Sequence, residues 1–457
     1  MLNKYRLLVG TNMLLLAACA DASMGTIGNT FGLLPNDVAS AQANSIFSSN
    51  ASASYYNPAG LAQTKDTQLN PGYLYVSPEL RIKSQGGSNP PIRIGDVADD
   101  EKNNNVILGL KLYLNNISPQ EHNISWGLIV GLEDDGRTFL DIEDETSQSG
   151  QFMQYGEKPA FISTGFGMEV MEGLYLGLGS RLNVAATAPV VVESDLAGVT
   201  SNERVNVQAS TTFSDILGVL VDFGKMFCAV KDKKLCVPGL KLAFAYREES
   251  YYSLGLNANA VIPGTINPPG LDLIVYALDA YHPDIITLGL QYPFAKDWTV
   301  DFTYEKQTWS QLTSQLESKA GSNAVKDQGN LAFDDISIPR VAFTYRGFEG
   351  FAVRDKDKLD FIFGLAFEDS ALKDGLSPDV NMIDNDRTVY SFGVLYTVGG
   401  ESKFLNQDMS IEFAYQYHVL DDREFQMSTS AAPTLPFETV SADGEASVLS
   451  FGVNVRF

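Results

Sequence analysis

The chain has 457 residues, 44% of them hydrophobic, and a formal net charge of −24. That sign excludes nucleic-acid binding, which needs basic surface against phosphates, and reads as acidic surface loops. After the N-terminus no apolar run reaches eighteen residues, which excludes a helical membrane protein but not a barrel whose strands alternate.

In chain order, residues 1–22 read as a signal peptide. Lys4 and Arg6 make a basic start, Leu7 to Ala18 an apolar stretch, and small residues follow. Cleavage after Ala20 or Ala22 suits an ordinary signal peptidase, whereas Leu16-Ala17-Ala18-Cys19 suits the lipoprotein enzyme, which would acylate Cys19. Export implies an oxidising compartment. Cys228 and Cys236 then form a candidate disulfide stapling one turn, and without His partners nearby they make a poor metal site.

Residues 23–63 are rich in Gly, Ala, Ser and Asn and show no long alternation. Small side chains suit a compact plug inside a narrow lumen. The segment ends at Asn57-Pro58-Ala59, where the plug meets the first strand. Pro58 fixes φ, Asn57 can hold a turn and Ala59 permits close approach to a wall. These three are the candidate gating residues.

From residue 64 to 457 the pattern is strand after strand. Fourteen strands are expected near 67–84, 104–115, 123–133, 160–171, 173–187, 205–223, 238–254, 284–293, 297–310, 335–346, 358–370, 387–399, 407–422 and 446–457. Apolar sets such as Trp126/Leu128/Val130/Leu132 and Phe361/Phe363/Leu365/Phe367 alternate with positions carrying Lys241, Arg247, Asp301, Glu305, Glu412 and Gln416. No helical run lies between strands to cover the apolar faces. A closed antiparallel transmembrane β-barrel solves this, with apolar residues facing lipid, polar ones facing the lumen and no free edge. The long connections 134–159, 188–204, 255–283, 311–334, 371–386 and 423–445 all fall on the outer side by parity. The tight Met171-Glu172-Gly173 turn falls on the inner side, and 224–237 is too long for that side. The last strand alternates Leu449, Phe451, Val453, Val455 and Phe457 with polar or small residues. Its terminal Phe resembles the signal read by the barrel assembly machinery.

Asn57-Pro58-Ala59 after a small-residue segment, the strand Tyr73-Leu74-Tyr75-Val76-Ser77-Pro78, the Asp386-Arg387 element before Tyr390-Ser391-Phe392-Gly393 and the terminal Phe together carry a resemblance. The chain resembles the FadL family of outer-membrane transporters of long-chain fatty acids and other hydrophobic compounds. The resemblance implies passive uptake: capture in an apolar groove between outer loops, then lateral release through a kink in the third strand, for which Gly127 and Gly131 are suited. The connection 255–283 supplies an unusually apolar wall, with Val261, Ile262, Leu271, Ile274, Val275 and Leu278, and residues 270–278 are compatible with two helical turns. The second wall is 188–204, with Val191 and Leu196. Simple capping of the mouth is the competing role for this loop. For a fatty acid's carboxylate the lumenal candidates are Arg181 and Arg247, which could instead form salt bridges with Glu305 or Glu412. The rival functions are an aromatic hydrocarbon channel of the same family and a non-transporting structural or adhesin barrel.

Nothing in the sequence points to catalysis. His122, His282 and His418 lie far apart and no nucleophile elbow, zinc motif or phosphate loop is present. No cofactor or metal is expected. The expected partners are a hydrophobic ligand, outer-membrane lipid and lipopolysaccharide around a monomer in a Gram-negative outer membrane.

Overall fold

Fourteen antiparallel strands close on themselves in the computed structural model. It describes residues 26–86, 96–99, 102–116, 122–133, 151–152, 161–187, 190–194, 200–205, 208–228, 237–262, 266–312, 333–348, 357–373, 376–378, 382–398, 409–429 and 432–457. The barrel strands are β1 Gln68–Gly86, β2 Asn103–Tyr113, β3 Ile124–Glu133, β4 Phe161–Met171 and β5 Leu174–Thr187. Then come β6 Gln208–Asp222, β7 Lys241–Arg247, β8 Ile285–Ala295, β9 Trp298–Gln307 and β10 Ile336–Phe348. The last four are β11 Lys358–Glu368, β12 Arg387–Val398, β13 Met409–Thr429 and β14 Ala432–Arg456. Each pairs with the next, and β14 pairs with β1 from Gln68↔Arg456 outward. Closure leaves the barrel without an unpaired edge, the condition for crossing hydrocarbon. Among the described residues no helix is long and apolar enough to cross a membrane.

The alternation sorts the side chains as the sequence requires. On β14, Phe451 is 52% exposed while Ser450 and Gly452 are buried. On β13, Ile411 and Phe413 point outward, and Glu412, Gln416 and His418 are buried inside. His418 Nε2 sits 2.9 Å from Oε1 of Gln416, a lumenal hydrogen bond.

Short helical turns at Ile27–Thr30, Pro35–Ala39, Ser45–Phe47, Ala53–Tyr56 and Pro58–Gln63 fill the interior. Strands around the ring satisfy their backbone carbonyls, as buried polar groups demand. Ser163 Oγ donates to Ser54 O (2.9 Å), Thr303 Oγ1 to Ala43 O (2.5 Å), Ser391 Oγ to Ala39 O (2.8 Å) and Gln416 Nε2 to Val38 O (2.9 Å). Strands β4, β9, β12 and β13 thus hold one internal segment.

Several sequence expectations change. Residues 270–278 are not helical: Ser250–Ile262 and Ile266–His282 form an antiparallel hairpin. The β-branched residues Val261, Ile262, Ile274 and Val275 suit extended backbone, and the hairpin leaves β7 ending at Arg247. The expected outer loop 423–445 is instead strand. β13 and β14 reach 21 and 25 residues, about twice the 9–11 that a bilayer needs, and Phe425, Val440 and Ala442 on them join one buried apolar cluster. The turn after β6 contains a helix, Phe223–Cys228. In β3 the glycines do not mark a kink: its ladders to β2 and β4 run without register shift from Ser125 to Gly131. A Cβ on Gly127 would lie 2.2 Å from Ser54 Oγ, and one on Gly131 2.2 Å from the Phe161 ring. These glycines make room for Ser54 and Phe161 inside the barrel. Residues 1–25, with Cys19, lie outside the described residues, as do Leu196 and Cys236; Cys228 is disulfide-bonded.

Candidate functional site

Three parts of the interior bear on function: the docking of the internal segment, a polar flank and an apolar mouth. Docking centres on Asn57-Pro58-Ala59. These residues are buried against β4, β5 and β6, nine residues or more before β1 begins at Gln68. Asn57 Oδ1 accepts from the Ala59 amide (3.2 Å), capping the turn Pro58–Gln63. Its Nδ2 donates to Ile46 O (3.0 Å) and to Val219 O on β6 (3.3 Å). The wall is smoothed to receive them. A Cβ on Gly177 would lie 2.0 Å from the Ala59 nitrogen, and one on Gly167 2.4 Å from Pro58 O.

The polar flank lies on β7 to β10. Arg247 Nη2 is 2.9 Å from Glu305 Oε2, and Arg340 Nη1 is 3.4 Å from Glu305 Oε1. Thr287 and Gln307 also donate to this carboxylate. Arg247 lies over the rings of Tyr55 and Tyr56, 5.2 and 5.7 Å from their centroids. Of the two candidate carboxylate binders, then, Arg247 already has a buried carboxylate. Arg181 donates instead to Ser250 Oγ (2.6 Å), at the base of the outer hairpin. The two are brought to neighbouring positions over Tyr55, since the Arg181 guanidinium is 6.0 Å from that ring.

The apolar mouth was missed by sequence reasoning. Leu80 and Ile82 of β1, Leu420 and Phe425 of β13 and Val440 and Ala442 of β14 pack with Trp309, Phe333, Leu372 and Ile383 in one buried cluster. A second cluster lies further in, where Phe31, Leu33 and Leu34 of the internal segment meet Leu74 and Val76 of β1, Ile107, Ile129 and Phe161. Leu74, Val76, Leu80 and Ile82 share the inner face of one strand, so β1 carries an apolar line from mouth to internal segment. The sequence-predicted groove residues sit on two adjoining outer hairpins. Val261, Ile262, Leu271, Ile274, Val275 and Leu278 lie on the hairpin described above, whose first strand runs against Val190–Ser194, which carries Val191. Val190–Ser194 itself pairs with Thr200–Val205.

On the side of the internal segment where β1 begins and β14 ends, a cavity of about 450 Å³ is lined largely by polar groups, among them Gln68, Asp222, Lys241, Arg346, Glu412 and Arg456. Among the described residues no group of three or more His, Cys, Asp or Glu is placed to hold a metal.

A family model described as outer membrane protein transport protein (OMPP1/FadL/TodX) matches residues 35–457. The chain belongs to this family. It is 34% identical over 443 residues to alkane uptake protein A of Marinobacter nauticus, covering 96% of this chain and 92% of that one. The crystal structure of a Pseudomonas aeruginosa FadL homologue superposes with a TM-score of 0.56 at 14% identity, over 93% of this chain and 98% of that one. The P. putida toluene transporter TodX gives a TM-score of 0.49 at 12% identity, over 94% and 99%. As a FadL-family barrel the protein resides in the outer membrane and transports hydrophobic compounds. Its outward belt of Leu, Phe and Tyr side chains therefore faces lipid.

Proposed function

We propose that the barrel takes up uncharged, alkane-like hydrocarbons by passive diffusion. The observation that carries this reading is the apolar line on β1, which joins the mouth cluster to the internal segment while Arg247, on the opposite flank, is neutralised by Glu305. A hydrocarbon gains roughly 25 cal/mol per Å² of apolar surface removed from water, and a series of modest apolar sites lets it descend without being trapped. Lipopolysaccharide resists such solutes, so a protein route is useful. The two outer hairpins are the proposed capture surface, with Ile274 and Leu278 in it. The internal segment acts as the plug. Release is sideways into the bilayer, because the cavity beyond the plug is polar and offers hydrocarbon no favourable path. The name of the Marinobacter relative supports the alkane class.

A second reading, long-chain fatty acids, is favoured by the guanidinium groups of Arg181 and Arg247, which come together over the Tyr55 ring at the base of the outer hairpin. Uptake of radiolabelled n-hexadecane and palmitate by cells lacking other routes separates the two. Hexadecane entering in preference supports the proposal, and palmitate alone entering assigns Arg181 a carboxylate. Entry of neither, with the barrel at the surface, leaves a structural or adhesin role. Replacing Ile274 and Leu278 by Asp should reduce uptake while the barrel stays heat-modifiable; unchanged uptake would make the hairpin a cap.

A further inference from the structure

We propose that Asn29 is a positioning residue that couples the outer hairpin to the internal segment. The base of the hairpin is the cross-strand pair Ser250↔His282. Both members turn away from the hairpin and bond into the lumen. Ser250 accepts from Arg181, and His282 Nε2 lies 2.6 Å from Nδ2 of Asn29. The other ring nitrogen of His282 is 3.2 Å from the carbonyl of Pro283 and donates to it. That leaves Nε2 as an acceptor, so the Asn29 amide donates. At its other end, Asn29 Oδ1 accepts from Tyr55 OH (2.8 Å) and from Arg247 Nη1 (2.6 Å). One amide therefore touches the hairpin, the barrel wall and the fourth turn of the internal segment, Ala53–Tyr56.

The site suits a neutral amide. A carboxylate at 29 would have no proton for Nε2, and an apolar side chain would take a partner from three buried polar groups. Asn29 is 4%, His282 1% and Arg247 3% exposed, so each bond broken leaves a desolvated partner. The contact is thus a joint between two elements that are otherwise separate in sequence. A hairpin displaced by a ligand must carry Asn29 with it or release it. Coupling of this kind is reciprocal: whatever breaks the Asn29 joint loosens the hairpin base and the segment alike.

The ligand arm of the test rests on the capture role proposed above, and the variant arms do not. Native-state hydrogen exchange is measured on the full protein in lipid nanodiscs. Asn29→Ala should speed exchange by about ten-fold at 250–254 and 279–284 as well as at 26–31. His282→Ala should do the same, and the double variant should add little to either. His282→Gln should keep wild-type exchange, because its amide oxygen can accept in place of Nε2. Tyr56→Phe removes the bond from Tyr56 OH to Gly28 O (2.7 Å) and no hairpin contact, so it should loosen 26–31 alone. Loosening confined to 26–31 in Asn29→Ala, or additive effects in the double variant, overturns the proposal. n-Dodecane should speed exchange at 26–31 in the wild type and not in Asn29→Ala. No response to dodecane, with the variant arms as expected, leaves the coupling standing and removes the capture role.

Discussion

A Cβ placed on Gly218 would lie 2.0 Å from Oδ1 of Asn57. The same holds at Gly177 and Gly167, so three consecutive strands withhold side chains where Asn57-Pro58-Ala59 docks. The internal segment is therefore fixed from behind by the wall at β4 to β6 and linked in front to the outer hairpin. Its anchored end and its coupled end are different residues, which allows one to move while the other stays.

That relationship gives the first prediction. Gly177→Ala should force the backbone of Ala59 away from β5. Overpacking of this kind costs about 1–3 kcal/mol, and the contacting atoms are backbone, which cannot swing aside. Hydrogen exchange across 53–63 should rise while the heat-modifiable mobility on gels stays normal. Gly72→Ala is the control, since its nearest neighbour would be the end of the Leu34 side chain at 3.3 Å. Equal exchange in the two variants would sink the account.

The barrel was legible because strand parity is a property of the backbone: each of the fourteen expected strands overlaps one strand of the barrel. The docking wall was legible too and went unread. Gly165, Gly167, Gly177 and Gly179 stand at alternate positions of paired strands, which puts a glycine face on one side of the sheet. Hairpin 250–282 was misread because a short apolar run has no period that separates strand from helix. The mouth cluster was beyond reach for another reason. Trp309, Phe333 and Leu372 are single apolar residues in separate connections, Leu420 and Val440 lie on β13 and β14, and only the closed ring brings them together. Parity placed both Arg247 and Glu305 inside, but their pairing needs β8 to lie between them.

The second prediction concerns the order of effects on the polar flank. Glu305→Ala leaves Arg247 and Arg340 buried without their carboxylate, a loss of about 3–5 kcal/mol when one partner of a buried pair is removed. Arg247→Met should cost less, because Glu305 keeps Arg340 and the Met side chain fills much of the volume. Urea midpoints in detergent micelles should rank wild type above Arg247→Met above Glu305→Ala. The reverse order of the two variants would show that Glu305 is not the hub.

A third prediction is a pH dependence at the outer mouth. Asp384, in the connection before β12, accepts from Ser370 Oγ (2.9 Å) and the Ala371 amide (2.7 Å). Burial pushes its carboxyl up from 3.8 to about 6, against the opposing pull of Arg387 and these hydrogen bonds. A raised carboxyl pKa favours the folded state at low pH. The contribution is complete below 3.8 and is lost as the pH rises to about 6, by about 3 kcal/mol for a rise of some two units. Exchange protection of 369–373 and 382–387, corrected for the intrinsic rate, should fall across that window. Asp384→Asn keeps an acceptor oxygen and loses the titration, so its protection should be flat. A wild-type profile as flat as that of the variant would rule the effect out.

The last prediction identifies the partner of Cys228. This cysteine ends the helix Phe223–Cys228 and is disulfide-bonded. The chain holds two other cysteines, Cys19 and Cys236. We infer that Cys236 is the partner. Signal peptide cleavage after Ala20 or Ala22 removes Cys19, and acylation of Cys19 alkylates its sulfur, so neither fate leaves it able to pair. A bridge across so short a loop restricts the unfolded chain by about 2–3 kcal/mol and braces the connection between β6 and β7. Maleimide labelling of the folded, unreduced protein should therefore miss Cys228. After Cys236→Ala the same reagent should label Cys228 at full stoichiometry, with uptake unchanged because the turn lies at the far end from the mouth. A Cys228 that still resists labelling in that variant would mean that Cys19 survives in the mature protein and holds the bridge.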